Sequence, residues 1–135
     1  MYSFEKSLKS MKKIIYLPVL LVVIFITTAN AQTSVIEKKT DSIAKLAIKY
    51  MNAKQPDSVY ALSGANFRSQ IPSATWTTVY STQLSALMPF TKVEFVKTVG
   101  AVNVYKLTGK VVLTYNVSID GAGKINDFSF VPYHE

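Results

Sequence analysis

At Pro89 the spacing of apolar residues changes from a helical period to the period of a strand, which divides 32–135 into a helical front and a sheet-forming back. Ahead of Pro89, the residues Ile36, Ile43, Ala47 and Tyr50 recur at helical steps with Leu46 and Met51 beside them. That pattern predicts a helix over 34–54 whose apolar stripe faces a sheet. Pro56 suits the start of a short helix over 56–63, and Gly64 stops it. Phe67 and Ile71 anchor a connecting segment that Pro72 closes. Ser73 then caps a third helix reaching about Met88, with Trp76, Val79, Tyr80, Leu84 and Leu87 on one side.

Beyond Pro89 the alternation is that of strands. Over 92–98, Val93, Phe95 and Lys97 share one face and Lys92, Glu94 and Val96 the other; 101–107 follows after a turn at Gly100. The clearest strand is 111–119. Val111, Leu113, Tyr115, Val117 and Ile119 point inward, and Val112, Thr114, Asn116 and Ser118 point outward. Asp120-Gly121-Ala122-Gly123 is a hairpin turn with two glycines available for positive φ. Over 124–131 the parity breaks between Ile125 and Phe128/Phe130, which predicts a bulge near Asn126-Asp127. The fold class is α+β, with N-terminal helices packed on an antiparallel four-stranded meander.

The front of the chain carries a different pattern. Lys12 and Lys13 precede an apolar run from Ile14 to Ile26, which ends in Thr27, Thr28 and Ala29-Asn30-Ala31. A positive region, an apolar region and small residues at Ala29 and Ala31 describe a secretory signal peptide cleaved after Ala31. The run is shorter than the roughly 20 residues a membrane span needs. Residues 1–31 are therefore read as leader and 32–135 as the working domain, with Met1 or Met11 as the start and the membrane involved only through an uncleaved leader. The domain is expected in the periplasm or outside the cell.

Cysteine is absent. The domain thus has no disulfide, no thiol for lipid attachment and no thiolate chemistry, and its stability rests on burial. The one histidine, His134, stands beside the C-terminus, a poor place for a preorganised base. No metal or cofactor site is expected. The net charge of +7 includes +3 from Lys6, Lys9, Lys12 and Lys13 against Glu5, leaving +4 spread as scattered lysines. There is no nucleic-acid motif.

Several of these features occur together in a known setting. The helix ending in Tyr50-Met51-Asn52, the segment 57–62, Phe67-Arg68-Ser69-Gln70-Ile71-Pro72, the Trp-bearing helix, and the closing 120–125 and Phe128-Ser129-Phe130-Val131-Pro132 carry the likeness. Over 34–132 the chain resembles a bacterial domain family of unknown function with a cystatin-like, nuclear-transport-factor-2-like architecture. Members often stand in front of a beta-lactamase-type serine hydrolase or an alpha/beta hydrolase. The resemblance implies a curved sheet wrapped round a long helix as a cone, whose opening in relatives often holds a small apolar ligand. No hydrolase activity is carried over, since the sequence stops at Glu135.

On that reading Tyr50, Trp76, Tyr80, Tyr105, Tyr115 and Phe128 line the cone, either around a ligand or as plain core. The function expected is a non-catalytic module, either ligand-binding or accessory to an exported hydrolase partner. The outer face of Val112, Thr114, Asn116 and Ser118 offers a homodimer contact. The alternative is a small enzyme of the steroid-isomerase type, which needs a pocket carboxylate and a tyrosine. Asp127 beside the bulge is its only candidate acid/base, because Asp120 serves the turn and Glu94 shares the solvent parity of Lys92.

Overall fold

The computed structural model of the chain describes residues 16–135. Its first helix, α1, runs Tyr16–Asn52, starting well before residue 34 because the apolar run is itself built of helix-compatible residues, with Pro18 confined to the first turn. The expected cleavage residues Ala29 and Ala31 lie within this helix, while Lys12 and Lys13 lie outside the described residues. No described helix is long and apolar enough to cross a membrane. The chain divides into two compact units at Val35 and Ile36, and the second, Ile36–Glu135, carries the sheet.

Three short helices follow: α2 (Pro56–Ala61), α3 (Ala65–Gln70) and α4 (Ser73–Val79). The stretch expected as a bare connector is therefore the helix α3, whose single buried side chain is the anchor Phe67. Pro72, not Ser73, occupies the N-cap of α4, and its carbonyl accepts from the Trp76 N–H to close the first turn. The third predicted helix is not uniform in pitch. Beyond α4 it widens into a π-helical turn over Tyr80–Leu84, where the Ser85 N–H reaches back five residues to the Tyr80 carbonyl, and then tightens into a 3-10 turn over Ser85–Leu87.

The strands β1 (Lys92–Val99), β2 (Val102–Thr108), β3 (Val112–Ile119) and β4 (Ile125–Pro132) pair in chain order as an antiparallel meander. Gly100, at φ 60°, makes the tight turn between β1 and β2. In the β3–β4 turn only Gly123 takes positive φ. Asp120 fixes the rest by accepting from the N–H groups of Ala122 and Lys124. The expected bulge is present: Ser118 pairs with Asp127 and Ile119 with Ile125, leaving Asn126 unpaired. A second bulge at Val96 was not expected. It places Lys97 opposite Val104 and turns Thr98, rather than Lys97, to the side of Asn103.

Register then sorts the inner face into rungs. Phe95, Tyr105, Tyr115 and Phe130 stand opposite one another across all four strands, an aromatic rung with successive ring centroids 5.8, 5.7 and 4.9 Å apart. Val93, Leu107, Leu113 and Pro132 form the rung on one side, and Thr98, Asn103, Val117 and Phe128 the rung on the other.

Helix α1 lies along this face. Its buried stripe is Thr40, Ala44, Ala47, Ile48 and Met51, which keeps Ala47 and Met51 of the predicted pattern but is turned away from its larger members; Ile36 is exposed and Ile43 and Tyr50 are half-buried. The displacement has a steric cause. Two fully buried tyrosines rise from the sheet, and only alanine lets the helix come close enough for the Tyr115 hydroxyl to reach the Ala44 carbonyl at 3.1 Å. Thr40 tolerates burial because its hydroxyl donates to the Ile36 carbonyl.

Candidate functional site

A polar seam joins sheet to helix. Asn103 Nδ2 donates to the Glu37 carbonyl and to the Tyr105 hydroxyl, Tyr105 donates to Asp41 Oδ1 at 2.9 Å, and Tyr115 donates to Ala44. Residues 37, 41 and 44 lie on one face of α1, so a single face of the helix receives the three bonds that cross from the sheet. Burial pushes the Tyr105 hydroxyl well above the ordinary tyrosine range; the Asn103 bond opposes this and Asp41 adds to it. Tyr115 is raised by burial first and by Tyr105 second. Both side chains are fully buried, with their hydroxyls committed to α1.

The other expected cone-lining residues gather elsewhere. Trp76 contacts Phe128 with centroids 5.4 Å apart and Tyr80 at 6.1 Å, and Phe128 stacks on Phe67 at 5.0 Å. Trp76 donates its Nε1–H to the Pro56 carbonyl. Tyr80 donates its hydroxyl to the Met51 carbonyl at 2.8 Å, and burial raises its pKa as well. Tyr50 stands apart, half-buried on α1. Over Trp76, Phe128 and Phe130 lies a groove of 260 Å³, below the roughly 300–1,000 Å³ of small-molecule sites.

Asp127 is exposed on β4, paired across the sheet with Ser118. The described tyrosine and carboxylate that do meet are Tyr105 and Asp41, and Asp41 is held by Lys45 Nζ at 2.9 Å on its other oxygen. Of the outer face, Val112 is exposed, Thr114 and Asn116 are half-buried and Ser118 is buried.

A cleft of 620 Å³ opens where the end of α1 meets the π-helical turn. Tyr80, Met88 and Pro89 give it an apolar wall, and Asn52, Ser81 and Ser85 supply polar groups. Lys54 stands among the lining residues as the one charge. Asn52 fixes one side of the cleft: its Nδ2 donates to the Phe90 carbonyl at 2.8 Å and its Oδ1 accepts from the Phe90 N–H at 2.9 Å, which ties the end of α1 to the entry of the sheet. Ser85 donates to the Ser81 carbonyl and Ser81 to that of Thr78.

The chain matches no protein-family model, no curated protein and no solved structure. Tyr80 is the single expected lining residue that borders the cleft; Asn52, Lys54, Ser81, Ser85 and Met88 were not anticipated. Helices that end in a left-handed residue usually place glycine there; here Lys54 holds that conformation, which residue type does not announce.

Proposed function

We propose that this domain is an exported, non-catalytic module of cystatin-like, nuclear-transport-factor-2-like architecture that binds a small apolar ligand in the cleft beside Tyr80. The observation that carries this reading is the cleft's volume of 620 Å³ together with its wall of Tyr80, Met88 and Pro89. That volume lies inside the range of about 300–1,000 Å³ typical of small-molecule sites, with an apolar wall and a few fixed polar groups. The centre of the space between α1 and the sheet is occupied by side chains. Tyr105 and Tyr115 fill it, and no buried side-chain polar atom described there lacks a partner.

The test uses the only tryptophan, Trp76, whose ring lies 6.1 Å from that of Tyr80. Titration of the full chain with N-phenyl-1-naphthylamine, a neutral apolar probe, is expected to give saturable energy transfer from Trp76. Ser85→Phe, which fills the cleft from an exposed position, is expected to abolish it. Absence of saturable binding, or equal binding by Ser85→Phe, contradicts the reading.

A further inference from the structure

We propose that the ligand of this cleft is a small amphipathic monoanion, an alkyl or aryl carboxylate whose chain lies against Tyr80, Met88 and Pro89 and whose charge meets Lys54. The inference rests on the cleft being the binding site and adds the chemistry of what enters it.

Three observations converge on Lys54. First, it closes α1 in a Schellman motif: the Lys54 N–H donates to the Met51 carbonyl and the Gln55 N–H to the Tyr50 carbonyl. In that motif the closing residue is left-handed, and Lys54 has φ 59°, the only non-glycine among the described residues at positive φ. A side chain there costs about 1 kcal/mol relative to glycine. Strain of this kind gathers where a side chain has a task.

Second, a cation near a helix C-terminus does gain from the helix dipole, but Lys49 in the last turn of α1 already supplies one. Dipole pairing therefore gives no separate reason for lysine in the left-handed position. Lys54, like most of the described lysines, takes part in no ion pair among the described residues.

Third, the other polar groups of the cleft are already engaged. The Tyr80 hydroxyl is held by Met51, both ends of the Asn52 amide by Phe90, and the Ser85 hydroxyl by Ser81. Only Ser81, bound to the Thr78 carbonyl at 3.2 Å, has a loosely held hydroxyl free to turn toward a guest. A ligand needing many hydrogen bonds finds few partners here. One with a single anionic group finds an ammonium with three donors and a hydroxyl among the same lining residues.

The test compares octanoate with octan-1-ol as displacers of N-phenyl-1-naphthylamine from the full chain at low ionic strength. Octanoate is expected to bind about two- to fivefold more tightly than the alcohol, the range a partly exposed ion pair provides. Lys54→Gly is expected to erase that preference, and Lys54→Arg to keep it. Salt is expected to weaken octanoate alone. Equal affinities in the parent chain, or a preference that survives in Lys54→Gly, overturn the anion assignment but leave the cleft standing as an apolar site. If neither compound displaces the probe, or the probe itself does not bind, the binding reading and this inference fall together.

Discussion

Tyr105 donates its hydroxyl to Asp41 Oδ1 at 2.9 Å across the gap between sheet and helix, while Lys45 holds the other oxygen of the same carboxylate. Tyr105 is fully buried and also accepts from Asn103, whose amide donates in turn to the Glu37 carbonyl, so the two side chains together couple β2 to α1 at two points. Tyr105→Phe removes the donor to Asp41 and one of the two acceptors of the Asn103 amide. The expected loss is about 1–3 kcal/mol, the penalty for disturbing buried polar partners. Urea unfolding measures it, and a change within about 0.5 kcal/mol, as at an ordinary surface site, denies the seam a structural role.

The same tyrosines predict an alkaline limit. Burial raises Tyr80, Tyr105 and Tyr115 above the unfolded value of about 10. Below about pH 10 both states hold the phenolic protons, so the contribution to stability is intact. Above it the unfolded chain releases protons that the folded chain keeps, so stability falls as pH rises toward the folded values. Urea midpoints between about pH 8 and 11.5 are expected to decline at the upper end, and less steeply in Tyr115→Phe. Parallel profiles contradict the assignment.

Much of this fold is written in the order of the residues. The period change at Pro89, the meander and the bulge at Asn126 follow from alternation, from turn chemistry at Gly100 and Asp120, and from the parity break after Ile125. The face that α1 turns inward is not legible the same way. The pattern includes Ala47 correctly but also selects Ile36 and Tyr50, whereas the helix approaches through Ala44 beside Ala47, because the bulk at that contact comes from Tyr105 and Tyr115 on the sheet. The bulge at Val96 also leaves no mark, since Val96 and Lys97 fit either register in an exposed edge strand. For the site, aromatic content led to Trp76, Tyr80 and Phe128, yet the cleft depends on a π-helical turn and a left-handed lysine that residue type alone does not announce.

Gly64 is a position where only glycine fits. Its N–H donates to the Ile125 carbonyl where the chain after α2 runs beside the start of β4, and a Cβ there runs into Asp120 Oδ2 and close to Lys124 Cβ. Asp120 has little freedom to withdraw, because its Oδ1 holds the turn. Gly64→Ala is expected to cost about 1–3 kcal/mol, as overpacking does, and to lower the melting temperature. An unchanged melting temperature shows that the turn yields.

Lys54→Gly is expected to act in the opposite sense. Relieving the left-handed strain at φ 59° raises stability by about 1 kcal/mol. Urea unfolding of the variant beside the parent chain measures it. A destabilised Lys54→Gly means that the lysine serves the fold, and the strain argument fails.

The most direct test of the binding site is a 15N–1H correlation spectrum of the full chain titrated with octanoate. Progressive, saturable shifts are expected in the amides of Asn52, Lys54, Ser81 and Ser85, which border the cleft. Shifts confined to Phe128, Ser129 and Phe130, which border the smaller aromatic groove, or no saturable shifts at all, contradict the account.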